Sequence, residues 1–306
     1  MQNLYKSISG KGFVLAMICL PLLCAAQKGY AQLSPSGSAY FLNQFALNPA
    51  ASGLEENLKI TLSYQQQAGS ISPASVTQYL TADYGLSERV GLGLAVFRQE
   101  MGLLQGTRFL ASYSYHLPLA DNQNLAFGIS LGGFDESINA EGLIGDQGDP
   151  VLRQFDDTGM QFDSDFGLLY TIDNFNIQVV GSSLGSLIYD NGENMITSIR
   201  QPSVFVAAGY NILLKPGTNA INLKPKAVFR KVREHEEIVD IGAQINFLDE
   251  KLNFFTMYHS SRCATFGVTG QIKELITFGT MYSTQSTQYS GNVGGNLEFV
   301  LQVTLD

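Results

Sequence analysis

Asn-Leu-Glu-Phe-Val-Leu-Gln-Val-Thr-Leu-Asp, residues 296–306, sets the reading of the whole chain. Leu297, Phe299, Leu301, Val303 and Leu305 fall on one face of an extended strand. Asn296, Glu298, Gln302, Thr304 and Asp306 fall on the other, with Val300 the one apolar intruder. Successive strand side chains point to opposite faces, so this alternation separates an oily surface from a wet one. The pattern recurs upstream at 58–67, 76–84, 90–97, 107–116, 124–133, 162–171, 174–182, 203–211, 220–230, 236–247, 251–259, 263–271 and 275–283. Phe109, Ala111, Tyr113 and Tyr115 oppose Arg108, Ser112, Ser114 and His116; Val239, Ile241, Ala243, Ile245 and Phe247 oppose Asp240, Gly242, Gln244 and Asn246. An even number of such segments, each about 9 to 11 residues long, is how a closed sheet crosses an outer membrane. The predicted fold is all-β: a transmembrane antiparallel β-barrel of about 14 strands in the bacterial outer membrane.

Connection lengths alternate as such a barrel requires. The stretches 85–89, 117–123, 172–173, 212–219, 248–250 and 272–274 read as short turns, whereas the three longest connections, 134–161, 183–202 and 284–293, all fall at the opposite end. Short turns in the periplasm and longer loops outside are the asymmetry of outer-membrane barrels; a secreted jelly roll or propeller has no reason to alternate in this way.

Lys6 and Lys11 precede an apolar stretch over 12–24, and small residues follow. This is the layout of a cleaved secretory signal, too short to span a bilayer as a helix. The expected division is a signal peptide over 1–31 (cleaved after Ala31, or after Ala26), a periplasmic N-terminal segment over 32–57 with an Asn-Pro turn, and the barrel over 58–306. Removing residues 1–31 takes away Lys6, Lys11 and Lys28 and no acid, so the formal net charge falls from −9 to −12. So acidic a balance argues against nucleic acid as a partner. It also removes Cys19 and Cys24; Cys263 alone forms neither an internal disulfide nor a cysteine metal site.

Between leader and first strand stands Ala-Tyr-Phe-Leu-Asn-Gln-Phe-Ala-Leu-Asn-Pro-Ala-Ala-Ser-Gly, residues 39–53. Asn48 caps its own backbone and Pro49 fixes φ, so the block reads as a tight turn; Tyr40, Phe41, Leu42, Phe45 and Leu47 need cover, against or inside the barrel. The block resembles the signature of the PorP/SprF family, outer-membrane components of type IX secretion in Bacteroidota, with Tyr40, Asn43, Asn48, Pro49, Ala50 and Gly53 at the matching positions. The resemblance continues through 91–96, 112–117 and 125–133, and departs at 64–68, at 98–100 and at Asp306. It implies a role in protein secretion, and in some members in gliding motility. The implied partners are the lipid bilayer, the secretion machinery on the periplasmic side, and a secreted cargo such as a large surface adhesin. Those six residues are candidates for docking a partner or plugging the barrel. The rival readings are a passive or substrate-specific porin and a lipid-modifying enzyme.

No catalytic, cofactor or metal residues are assigned. His116, His235 and His259 are the only histidines, and none form a His-x-x-x-His pair. His259 and Ser260 are adjacent in a strand and point apart. The acidic stretch with Asp146, Asp149, Asp156 and Asp157 does not have the spacing of an EF-hand loop. By parity Asp83, Arg108, Asp163, Asp165, Lys224, Lys226, Arg230, Asp240 and Glu298 face inward, as a lumen charge network or, alternatively, a transport site.

Overall fold

A computed structural model describes residues 37–69, 74–138, 159–188, 201–217, 219–233, 237–284 and 293–305. The expected leader, the acidic stretch and His235 lie outside the described residues.

Fourteen strands form one antiparallel sheet. They are β1 (Leu58–Gly69), β2 (Val76–Ser87), β3 (Val90–Met101), β4 (Leu104–Ala120), β5 (Gln123–Ile138), β6 (Gln161–Ile172) and β7 (Phe175–Ser182). β8 runs over Ser203–Tyr210 and resumes after Asn211 as Ile212–Lys215; β9 (Ile221–Val232), β10 (Glu237–Phe247), β11 (Leu252–His259), β12 (Cys263–Ile272), β13 (Ile276–Ser283) and β14 (Val293–Leu305) follow. Each strand pairs with its sequence neighbours, and β14 returns to β1 in continuous register from Leu58↔Leu305 to Gln67↔Asn296. That last pairing closes the barrel.

The alternation reads inside out relative to a soluble protein. On β14, Leu297, Phe299, Leu301 and Leu305 are exposed, while Glu298 and Gln302 are buried; on β4, Phe109, Tyr113 and Tyr115 are exposed, while Arg108, Ser112, Ser114 and His116 are buried. An oily exterior around a polar interior is the solution for a sheet whose solvent is lipid.

The expected strands are all present, with different ends. β4 and β5 outrun the expected 107–116 and 124–133, so the turn between them shrinks from 117–123 to Asp121 and Asn122, with Asn122 at φ 59°. Asp173, at φ 49°, turns the chain between β6 and β7 in the same way. Asn and Asp adopt this left-handed conformation at lower cost than other side chains, which suits them to two-residue hairpins. Residues 212–215, expected within a turn, pair with β9 through Leu223↔Ile212 and Ile221↔Lys215. Ile212, Leu213 and Leu214 run apolar without alternating, so periodicity could not mark them as strand.

The orientation of β14 makes a sharp expectation. Phe299→Lys puts a charge on the lipid face and should lower unfolding stability in lipid vesicles by about 2–4 kcal/mol, read from denaturant titration.

Candidate functional site

The segment ahead of β1 lies inside the barrel and touches its wall on all sides. It folds as three 3-10 turns, Gly37–Tyr40, Gln44–Ala46 and Pro49–Ala51. Asparagines start the second and third. Asn43 Oδ1 accepts from the Ala46 N–H (3.3 Å) while its Nδ2 donates to Thr81 Oγ1 (2.8 Å). Asn48 Oδ1 accepts from the Ala50 N–H (2.9 Å), and its Nδ2 donates to Leu168 O (3.2 Å) and Gln178 Oε1 (3.3 Å). Each asparagine therefore caps a turn and ties it to the wall at once. Pro49 suits the first helical position because no N–H is needed there.

Apolar side chains of the segment meet inward-facing apolar residues in four places. Tyr40 packs with Val180, Phe205, Ala207, Val228 and Met257. Phe41 and Leu42 pack on Phe255, Met281 and Val300. Phe45 meets Ala95 and Leu110, and Ala50 meets Ala126 and Leu169. Val300, the intruder in the closing stretch, is thus part of the segment's seat. The Asn-Pro turn comes so close to the wall that a Cβ on Gly128 would overlap the Pro49–Ala50 backbone, and one on Gly167 would overlap Asn48 Oδ1. Gly53, at φ 59°, turns the chain toward β1.

The nine inward charges do not form one network. Arg108 Nε binds Asp163 Oδ2 (2.5 Å), and its Nη2 binds Asp165 Oδ1 (2.5 Å). The same carboxylates accept from the backbone N–H groups of Gly185 (3.2 Å, to Asp163) and Ser183 (2.8 Å, to Asp165), fixing the chain after β7 over the long-loop end. A buried ion pair is favoured when its partners find further hydrogen bonds, and here both aspartates do. Arg230 Nε binds Asp240 Oδ2 (2.9 Å); His259 Nδ1 binds Asp240 Oδ1 (2.7 Å), and Tyr40 Oη donates to Asp240 Oδ2 (2.5 Å). Lys224 sits at the short-turn rim, 2.8 Å from Glu250. Burial alone would raise the Glu250 carboxyl, but Lys224, with hydrogen bonds from Asn246 and Asn222, holds that group below its ordinary value.

The other three charges grip the segment itself. Asp83 Oδ2 accepts from the Gly53 N–H (3.0 Å). Glu298 accepts from the Ser38 N–H (3.2 Å), from Ser63 Oγ (2.7 Å) and from Ser38 Oγ. Lys226 Nζ donates to Tyr40 O. These side-chain-to-backbone grips were not legible in the sequence, which identifies a charge and its face but not its partner.

Sequence reading also passed over Gly181-Ser182-Ser183-Leu184-Gly185, which has the Gly-x-Ser-x-Gly spacing of a nucleophile elbow. Ser183 does sit at a strand-to-helix corner, at φ 55° before the 3-10 turn Leu184–Leu187. Its backbone is turned to Asp165, and no histidine is among the described residues lining the adjoining chamber. The corner fastens the barrel mouth. Among the described residues no group of three His, Cys, Asp or Glu is arranged to hold a metal ion.

Two chambers flank the segment. One of about 250 Å³ faces the long loops and is lined by Ala39, Leu47, Gln65, Phe97, Arg108 and Arg230. The other, about 260 Å³, faces the short turns and is lined by Phe41, Gln44, Asn176 and Lys226 among others.

The family model described as type IX secretion system membrane protein PorP/SprF matches residues 29–303. No curated protein sequence matches significantly. Among solved structures, a TodX deletion mutant described as a monoaromatic hydrocarbon channel is similar over 92% of this chain and 98% of its own, at 11% identity and TM-score 0.52. The Pseudomonas putida toluene transporter TodX (10% identity, 92% and 96% covered, TM-score 0.47) and Acinetobacter baumannii Omp33 (10%, 83% and 99%, TM-score 0.47) are also similar. At these identities the likeness concerns the barrel alone.

The close approach at Gly167 makes the seat testable. Gly167→Leu should expel the Asn-Pro turn, so chymotrypsin cuts purified protein at Phe41 and Phe45 at least tenfold faster than wild type. The barrel itself should keep its heat-dependent gel mobility.

Proposed function

Because the chain belongs to the PorP/SprF family of type IX secretion system membrane proteins, we propose that this outer-membrane barrel supports the export or surface anchoring of a secreted cargo protein, and that its N-terminal segment keeps the lumen closed. The observation that carries the reading is the seating of residues 37–53. The segment is capped by its own asparagines, packed on four apolar pads and held by Asp83, Glu298 and Lys226. A passive porin has no use for its own chain seated across the lumen, and the serine corner is set up for fastening rather than for chemistry. The barrel then acts through its two ends. The short turns face the periplasm and meet the secretion machinery, and the longer loops meet the cargo. Large adhesins, including those of gliding motility, are the cargo class this reading favours.

Two experiments test it. Deleting residues 40–53 removes no strand, so the variant should reach the outer membrane at normal abundance. It should conduct ions in planar bilayers where wild type does not, and fail to support cargo export. Normal export by a correctly inserted deletion variant would reduce the segment to filler, and conductance by wild type would favour the porin. Orientation is tested in a Cys263→Ser background. Ile188→Cys should label from outside intact cells, and Asp249→Cys only after permeabilisation; the reverse pattern would exchange the partners of the two ends.

A further inference from the structure

The long-loop chamber is lined by a buried amide with nothing to bind. Gln65 is only 8% exposed, and its side chain makes no hydrogen bond among the described residues. The orphan oxygens of Asn124 and Asn176 at the short-turn end have no accessible surface, whereas the Gln65 amide keeps its own, toward the chamber. A primary amide offers two donors and an acceptor, and leaving them unmet away from bulk water is costly.

Register gives Gln65 useful neighbours. It pairs with Thr77 on β2, one strand spacing or about 5 Å away, whose hydroxyl likewise has no partner among the described residues. One step closer to the segment, Tyr79 pairs with Phe97, their ring centroids 6.1 Å apart. Both rings are half-buried and line the chamber. Tyr79 Oη is taken up by Ser38 Oγ (2.5 Å), so this residue offers its ring rather than its hydroxyl. Ser182 and Ser203, directly paired on β7 and β8, add hydroxyls from the facing wall. Ala39, Ala46 and Leu47 of the segment form the floor, which makes the chamber a pocket rather than a path.

The charged groups of this pocket are already matched. Arg108 is bound to Asp163 and Asp165, and Arg230 to Asp240. Glu298 accepts from Ser38 and Ser63. An ionic ligand therefore gains little here. A neutral molecule with hydroxyls at its edge and an apolar face would meet the unsatisfied amide and hydroxyls beside two aromatic rings. A pyranose has that composition, and its C–H face suits the negative face of an aromatic ring.

We propose that this chamber, about 250 Å³, binds one neutral pyranose sugar, with its ring against Tyr79 and Phe97 and its hydroxyls on Gln65 and Thr77. A free monosaccharide and the end of a longer glycan present the same ring. The site is independent of the secretion reading and requires only the seated segment as its floor.

The test uses the full-length barrel in a detergent without a sugar headgroup, titrated calorimetrically with glucose, galactose and mannose. Glycerol offers hydroxyls without the ring face, and tetrahydropyran offers the ring without hydroxyls. At least one hexose should bind about tenfold or more tightly than either fragment. The uronic acid and the amino sugar of that hexose should both bind several-fold more weakly than the neutral sugar. A trisaccharide ending in the same hexose separates the sources: equal binding identifies a glycan end, and lost binding a free monosaccharide. Gln65→Met and Thr77→Val keep the side-chain size, so each should leave the heat-dependent gel mobility unchanged while lowering affinity about fivefold, the loss of one hydrogen bond. Ser203→Trp should fill the pocket and abolish binding. No hexose bound at tens of millimolar, undiminished affinity in the Gln65→Met, Thr77→Val double variant, or tighter binding of a charged analogue would overturn the proposal.

Discussion

The rest of the molecule depends on the pairing of β1 with β14. In hydrocarbon an unpaired amide has no water to turn to, so a membrane sheet is stable only when its first and last strands meet. Leu58↔Leu305 through Gln67↔Asn296 is that meeting. Once it is made, the strand number is fixed at fourteen and the bore of the barrel with it. A bore of that size is wider than wall side chains alone can fill, and the N-terminal segment crosses it, leaving a chamber on either side.

How it does so follows from what the wall offers. A lumen lined only with charges would hold water, and one lined only with apolar residues would be hard to fold. Here Val180, Phe205, Val228, Met257 and Val300 give the segment apolar ground. Glu298, Asp83 and Lys226 bind its backbone, so their desolvation is offset by hydrogen bonds that water no longer supplies. Arg108 with its two aspartates, and Asp240 with Arg230 and His259, stiffen the wall around it.

The barrel was legible in the sequence because period-two alternation is a local property: a strand such as β14 declares its two faces without knowledge of its neighbours. The parity that turned Arg108, Asp163, Asp240 and Glu298 inward was legible for the same reason. What alternation could not express was pairing across distance. Val300 read as an imperfection in its strand and proved to be seat. Lys226 read as one charge among nine and proved to hold the Tyr40 carbonyl over the Phe41 ring. Residues 212–215 failed in the opposite way: their apolar run lacks alternation, and they entered the sheet through the register set by β9.

Ser38 and Glu298 lie 260 positions apart in sequence, yet they join the leading end of the segment to the strand that seals the barrel. The strand that closes the sheet therefore provides both the seam and an anchor for a segment that precedes every strand of the barrel. A chain cut short before β14 loses more than its final strand. Its sheet keeps an open edge and its N-terminal segment loses a mooring, so both defects of truncation are displayed together to whatever quality control surveys unfinished barrels.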